Sequence, residues 1–185
     1  MNEALIFVSQ TFLGLLSIML VLRFYMQTVN VPPQHPLYSF TLALTNFVVL
    51  PTRRFIPGVM GYDLSCLFIA WFAETLLFVT TRSLAGYELD ISLGIFLLAG
   101  LAVIKVLIYI VLFSIILQAV LSWVNPYSPT MPMLNSINRP ILSIFQRKIP
   151  LIGGVDLSPL FAVVACQILL MWPLASAERY FYTLV

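Results

Sequence analysis

The sequence predicts an all-α membrane protein with four transmembrane helices in two repeats of the same orientation, each repeat with a short amphipathic interfacial helix between its two spans. Three observations predict this fold class: the composition, four long apolar segments and a motif that recurs along the chain. Of 185 residues, 61% are hydrophobic and 9% charged, whereas soluble domains are about 25% charged. The composition therefore excludes a water-soluble domain, and the net charge of +2 argues against nucleic-acid binding.

Four apolar segments are long enough to form the spans. Crossing a hydrocarbon core of about 30 Å takes about 20 helical residues, and the segments cover residues 4–27, 63–81, 92–123 and 156–175. They are apolar on nearly all sides, whereas the strands of a transmembrane β-barrel alternate apolar and polar residues. The third segment is longer than a perpendicular crossing needs, so we expect it to tilt or to protrude from the membrane.

A shorter segment lies between the two spans of each half, at residues 37–50 and 131–145. Apolar side chains fall on one helical face of each segment, for example Phe40 and Leu44 in the first and Leu134 and Ile137 in the second. Prolines precede both segments and keep the approach extended. This spacing is typical of amphipathic helices that lie in the membrane interface.

An internal repeat divides the chain into residues 1–85 and 86–185. The sequence Arg54-Phe-Ile-Pro57, followed by Gly61-Tyr-Asp-Leu-Ser65, recurs from position 147 at an offset of 93 as Arg147-Lys-Ile-Pro150 and Gly154-Val-Asp-Leu-Ser158. The loops that contain the two copies hold most of the basic side chains, so the positive-inside rule places both loops in the cytoplasm. We therefore expect both chain termini on the outer side and both halves in the same orientation.

The aspartates and serines of the repeated motif stand where a span begins. They are Asp63, Ser65, Asp156 and Ser158. An aspartate there can cap the free N–H groups of the first helical turn, where negative charge also suits the helix dipole. A second interpretation, compatible with capping, is that the two carboxylates also pair with Arg54 and Arg147 and hold each interfacial helix to the next span.

The basic side chains of the two loops form a predicted cytoplasmic face. They are Arg53, Arg54, Arg139, Arg147 and Lys148. One interpretation is that they orient the chain and contact anionic lipid headgroups. The other is that they form a docking platform for an acidic segment of a partner protein.

Each span also carries one polar residue at a similar predicted depth. These residues are Gln10, Glu74, Lys105 and Gln167. We expect an ion pair between Glu74 and Lys105, because an isolated charge within a span is costly. Such a layer either fixes the register of the helices through hydrogen bonds or forms part of an ion or proton path.

The doubled motif resembles the YggT family of bacterial and plastid membrane proteins. The resemblance covers nearly the whole chain, in the two-copy form of Gram-negative bacteria; the family's Arg-Arg pair is present as Arg53-Arg54, whereas the second copy reads Gln146-Arg147. It implies an integral inner-membrane protein with no known enzymatic chemistry, so the termini that the positive-inside rule places on the outer side are expected to be periplasmic. Members are associated with osmotic tolerance, with cell or plastid division and nucleoid organisation, and with cytochrome assembly.

The sequence contains no nucleophile–base pair, glycine-rich phosphate loop or cluster of metal ligands, so we expect neither enzymatic activity nor a cofactor. The leading hypothesis is a membrane scaffold or assembly factor that acts through protein and lipid contacts at its cytoplasmic face. The alternative is a channel or transport-modulating protein in osmotic stress and ion homeostasis. Expected partners are anionic lipids, unidentified proteins and a second copy of the chain.

Overall fold

The computed structural model describes residues 2–56, 58, 62–87, 92–149 and 156–184. Every secondary-structure element in these ranges is a helix, which confirms the predicted all-α class. The helices are α1 (Asn2–Thr28), α2 (Pro36–Thr52), α3 (Leu64–Leu84), α4 (Leu93–Val124), α5 (Met131–Gln146) and α6 (Ser158–Tyr182). The glycines of the repeated motif, Gly61 and Gly154, and its prolines, Pro57 and Pro150, lie outside the described residues.

Four of these helices are long and apolar enough to cross a membrane, as predicted: α1, α3, α4 and α6. Helix α4 has 32 residues and is therefore about 48 Å long. It contacts α1, α3, α5 and α6, so it is the central element of the bundle. The short helices α2 and α5 form at the predicted positions, while their location in the membrane interface and the parallel orientation of the two halves stay predictions.

Local signals in the sequence explain where α1 ends and α2 begins. Asn30 adopts a left-handed conformation with φ of 56°, and the N–H groups of Asn30 and Val31 donate to Gln27 and Met26 in the last turn of α1. This is the Schellman arrangement, in which asparagine tolerates the positive φ. His35 then caps α2, because its Nδ1 accepts a hydrogen bond from the N–H of Leu37 at 3.3 Å.

Helix α6 extends seven residues beyond the predicted end of its span, to Tyr182 instead of Ala175. It contains a π-helical turn at Leu170–Leu174 that includes Pro173. A proline inside a regular α-helix clashes with the carbonyl four residues earlier, and a wider turn relieves that clash. The helix therefore continues through the proline that the sequence prediction placed close to its end.

Three apolar clusters hold the helices together. One joins α1, α2 and α5 around Met26 and Ile137, another joins α1, α2 and α3 around Leu20 and Cys66, and the third joins α4, α5 and α6 around Ile115. The short helices therefore pack against the end of the bundle at which α3 and α6 begin. This packing places their polar residues beside those of α1 and α4.

Candidate functional site

Three ionic side chains from three elements meet at the start of α3 and are here called the charged cluster: Arg23, Arg53 and Asp63. Arg53 Nε and Nη2 donate to Asp63 Oδ2 at 2.8 and 2.5 Å, and Arg23 Nη2 lies 3.8 Å from the same oxygen. Arg23 Nη1 also donates to Thr45 Oγ1 at 2.7 Å and to Asn46 Oδ1 at 3.0 Å on α2. The cluster therefore links α1 and α2 to Asp63, the residue that immediately precedes α3.

Burial makes the charges of this cluster interdependent. The side chains of Arg23 and Asp63 are each 3% exposed, whereas that of Arg53 is 46% exposed. The hydrogen bond with Asp63 raises the pKa of Arg53 above its usual value, so the guanidinium stays charged. A buried guanidinium is tolerated only with compensation, and Asp63 supplies it to Arg23.

A cavity of about 270 Å³ opens beside the charged cluster and is lined by Gln27, Arg53, Gly58, Tyr62 and Asp63. The Asp63 N–H donates to Gln27 Oε1 at 3.2 Å, which ties α1 to the loop that precedes α3. A Cβ atom on Gly58 would lie 3.1 Å from the Tyr62 carbonyl oxygen, so glycine permits this close approach of the loop to itself.

The second half carries a neutral counterpart, here called the amide cluster: Ser114, Gln118, Asn135 and Asn138. Ser114 Oγ donates to Asn138 Oδ1 at 2.5 Å, Asn138 Nδ2 donates to Gln118 Oε1 at 2.7 Å, and Gln118 Nε2 donates to Asn135 Oδ1 at 2.8 Å. These bonds join α4 to α5 as the charged cluster joins α1 to α2. Asn138 is fully buried, so its amide needs these partners.

A second link in this half joins the end of α5 to the start of α6. Gln146 Nε2 donates to Asp156 Oδ2 at 2.9 Å, and the Ser158 N–H donates to Asp156 Oδ1 at 2.8 Å. Partial burial raises the pKa of Asp156, but hydrogen bonds from Ser158 and Gln146 outweigh it and leave the pKa below its usual value. The carboxylate therefore stays ionised at neutral pH.

The two halves use equivalent positions for these contacts. The offset of 93 carries Arg53 onto Gln146 and Asp63 onto Asp156, and each pair is hydrogen-bonded. The predicted pairing of the aspartates with Arg54 and Arg147 is corrected by one residue, to Arg53 and Gln146. Helices α2 and α5 end at positions 52 and 146, and a shift of one helical residue turns a side chain by about 100°, so Arg54 and Arg147 point away.

The predicted capping role divides between the two aspartates. Asp63 stands at the N-cap position of α3 but makes no side-chain capping bond: both arginines approach its Oδ2, and its buried Oδ1 has no hydrogen-bond partner among the described residues. Asp156 lies one residue before the N-cap of α6 and does accept from the Ser158 N–H. Ser65 Oγ donates to the Ile56 carbonyl at 2.8 Å and fixes the loop between α2 and α3.

The predicted basic face also separates into two groups. Arg53 belongs to the charged cluster, and its role is to hold α2. The other members are exposed at the ends of α2 and α5 or on the outer side of α5: Arg54, Arg139, Arg147 and Lys148. No salt bridge to any of these four occurs in the described ranges.

The structure does not bring the four intramembrane polar residues together. Lys105 pairs with Glu178 on α6, which corrects the expected pair with Glu74. Glu74 is 6% exposed and lies beside Ser17 on α1. Gln10 and Gln167 are exposed on the outer surfaces of α1 and α6. The common depth of these residues stays a prediction, and sequence position did not give the side of the helix on which each lies, since Glu74 and Lys105 face different neighbours.

Glu178 is the residue that sequence reasoning missed at this contact. The predicted span ended at Ala175, which left Glu178 in a terminal tail. The sequence could have indicated this pair. A lysine within a span requires a partner, and Glu178 is the one acidic residue after Asp156. No group of three His, Cys, Asp or Glu side chains that could hold a metal ion occurs in the part of the chain that the structure describes.

Comparisons with known proteins agree with this arrangement of two similar halves. The family model described as CCB3/YggT matches twice, at residues 2–84 and 97–176. An uncharacterized protein of Pseudomonas aeruginosa is 33% identical over 91% of this chain and 87% of its own length. The uncharacterized protein YggT of Escherichia coli K12 is 28% identical over 91% of this chain and 88% of its own. No solved structure matches the chain. With both halves matched by the family model, the chain belongs to the CCB3/YggT family.

Proposed function

We propose that the protein is a multi-pass inner-membrane scaffold that presents α2, α5 and a basic cytoplasmic face to partner proteins and acts without enzymatic chemistry. The observation that carries the proposal is the fixing of each short helix to the following span, through Arg53 and Asp63 in one half and Gln146 and Asp156 in the other. A surface held in this way loses little conformational entropy when a partner docks. Such rigidity suits a docking surface.

The exposed basic residues supply the chemistry of docking. Arg54, Arg139, Arg147 and Lys148 lie on the same elements that the two links hold in place. Each basic group near a membrane surface contributes about 1 kcal/mol of attraction to anionic headgroups, and the same charges attract an acidic protein segment. The partners that this face suits are therefore anionic lipids and an acidic segment of a cytoplasmic or membrane protein.

Capture of the full-length protein from membranes in mild detergent tests the proposal. The variant with Arg54, Arg139, Arg147 and Lys148 all replaced by Gln is expected to lose proteins that the wild type retains. Replacement of Arg82 and Arg179 by Gln is the matched control, because these arginines lie near the opposite ends of α3 and α6. Recovery of the same proteins by the quadruple variant and the wild type would contradict the scaffold role of the basic face.

One observation favours the alternative of a channel or transport-modulating protein. Glu74 is a buried carboxyl that stands ten residues after Leu64, about 15 Å along the span, and intramembrane acids often mark ion paths. Purified protein in liposomes distinguishes the two functions. The scaffold proposal expects no ion flux that depends on Glu74, whereas flux abolished by Glu74→Gln would favour transport.

A further inference from the structure

Helix α3 packs against a span of the other half, whereas its counterpart α6 does not. Helix α3 contacts α1 of its own half and also α4, the first span of the second half. At α4 the Trp71 Nε1 atom donates to the Phe96 carbonyl at 2.9 Å, and the two rings lie 5.5 Å apart. Helix α6 likewise contacts α4 of its own half, but in the described ranges it has no comparable contact with α1. The fold therefore contains this contact between halves once instead of twice.

The corresponding face of α6 is exposed, although the same face of α3 is covered. Thr75 on α3 is 8% exposed, whereas Ile168, its counterpart at the offset of 93, is 54% exposed. Trp71 lies one turn before Thr75 and is half-buried, whereas its counterpart Val164 is exposed. The exposed face of α6 is thus the counterpart of the face with which α3 meets α4.

An offset of 95 relates the residues of α1 to those of α4. Arg23 on α1 bonds to Thr45 of α2. Gln118 on α4 lies 95 residues later in the sequence and bonds to Asn138 of α5, the counterpart of Thr45. The first spans of the two halves can therefore be compared residue by residue.

The side of α4 that meets α3 has an exposed counterpart on α1. A Cβ atom on Gly100 would lie 4.0 Å from the Trp71 ring, and Leu107 packs against the apolar cluster that α1, α2 and α3 share. Leu5, the counterpart of Gly100, is 49% exposed. Phe12, the counterpart of Leu107, is 72% exposed. One chain therefore exposes the counterparts of both sides of the contact between α3 and α4.

These counterparts indicate what covers α6. A partner that resembles the one at α3 must present what α4 presents there, and α1 is the repeated copy of α4. Since α1 of the same chain does not supply this contact, it comes from a second copy, which inserts in the same orientation. Lipid alone suits the face less well, because Gln167 lies on it and an amide is costly in hydrocarbon unless another helix supplies hydrogen bonds.

We propose that the chain forms a two-fold dimer in which α6 of each copy packs against α1 of the other, as α3 packs against α4 within the chain. Two such contacts close the assembly, because each copy supplies one α6 face and one α1 face. Each repeat in the resulting ring then contacts the next repeat in the same way. The proposal concerns the spans and does not depend on the basic face or on the partners proposed for it.

Cysteine cross-linking in native membranes tests the contact. Leu5 and Val164 are the counterparts of Gly100 and Trp71, which lie against each other within the chain. In full-length chains with Cys66 and Cys166 replaced by Ala, a short bifunctional thiol reagent should join a Leu5→Cys copy to a co-expressed Val164→Cys copy that carries a different tag.

The matched control replaces Val164→Cys by Ala165→Cys. Ala165 is the next residue and is turned by about 100° around the helix, and its counterpart Phe72 is exposed on α3. This pair should give no cross-linked product. Equal cross-linking of the two pairs, no product from either, or a product that joins Val164→Cys only to a different protein would overturn the proposal.

Two tryptophan variants test the dimer by a second measurement, energy transfer between labelled copies diluted in lipid vesicles. Ile168→Trp overpacks the contact and should raise the dissociation constant of the dimer about tenfold. Leu169→Trp is the matched control and should leave it unchanged, since Leu169 and its counterpart Leu76 are both exposed. Both substitutions lie at exposed sites of the single chain, so its fold is retained. A monomeric wild type, or equal effects of the two variants, would refute the contact.

Discussion

Asp63 and Asp156 occupy equivalent positions, but their surroundings give them unequal importance for stability. Asp63→Asn leaves the guanidinium of Arg23 buried without a counter-charge, which costs about 3 to 5 kcal/mol. Asp156→Asn loses hydrogen bonds at an exposed site, worth about 1 kcal/mol. Thermal unfolding in detergent should therefore show a much larger loss for Asp63→Asn. Equal losses in the two variants would mean that the charged cluster contributes no more than the exposed link between Gln146 and Asp156.

The charged cluster should tolerate removal of both buried charges better than removal of the aspartate alone. Thr45 and Asn138 are equivalent at the offset of 93; Thr45 bonds to the charged Arg23, whereas Asn138 bonds to the neutral Gln118. We expect the double variant Arg23→Gln with Asp63→Asn to unfold at a higher temperature than Asp63→Asn, because no buried charge is then left uncompensated. Gln118→Ala with Asp63→Asn serves as the control and should show no such recovery. Additive losses in the Arg23 double variant would contradict the coupling.

Helices α2 and α5 turn equivalent positions inward but present different outer surfaces. Thr41, Thr45 and Val49 are buried in α2, and their counterparts at an offset of 93 are buried in α5: Leu134, Asn138 and Leu142. The outer side of α2 is apolar, with Phe40 53% and Phe47 69% exposed, whereas that of α5 carries Ser136, Arg139 and Ser143. Thr45 and Asn138 are polar but face the spans, where Arg23 and Gln118 form hydrogen bonds with them.

This difference predicts that α2 is immersed in lipid while α5 faces water. Ala43 and Ser136 are equivalent, and both are exposed. In a background with Cys66 and Cys166 replaced by Ala, we expect Ser136→Cys to react with a water-soluble maleimide in intact bilayers. Ala43→Cys should stay unreacted until detergent is added, since the exposed side chains of Phe40 and Phe47 lie one turn before and one turn after it. Comparable reaction rates for both cysteines would show that the two short helices lie at the same depth.

The contact between Lys105 and Glu178 holds the last turns of α6 against α4. Both side chains are about one quarter exposed, so loss of the charge in Glu178→Gln should lower the free energy of unfolding by about 1 to 2 kcal/mol. The exchanged pair, Lys105→Glu with Glu178→Lys, should recover most of this loss in a denaturation experiment. Glu3→Gln, at the exposed start of α1, is the control and should have little effect. A swapped pair no more stable than Glu178→Gln alone would rule out the ion pair as the cause.

For the whole molecule, hydropathy and the repeat predicted which elements form, but the neighbours of each side chain depended on packing. The four spans follow from apolar length alone, and α2 and α5 from spacing and the prolines before them. Position along the helix could not give the direction of the Lys105 side chain, because α4 contacts four other helices. The π-helical turn at Pro173 further changes the face that the end of α6 presents. For this reason the aspartates of the motif and Lys105 were identified from sequence, whereas their partners, Arg53, Gln146 and Glu178, were not.

The charges of the loops predict the orientation of the whole molecule in the membrane, and fused reporters can test it. The loops at residues 28–62 and 124–155 contain five basic side chains of the cytoplasmic face, whereas Arg82 shares its loop with Glu88 and Asp90. Because basic loops remain in the cytoplasm, alkaline phosphatase fused after Val185 should be active in the periplasm. The same enzyme inserted after Ser128, between α4 and α5, should be inactive, and green fluorescent protein at the two sites should give the opposite pattern. Phosphatase activity at Ser128 but not after Val185 would show the opposite orientation. The basic face and any partner it binds would then lie outside the cytoplasm.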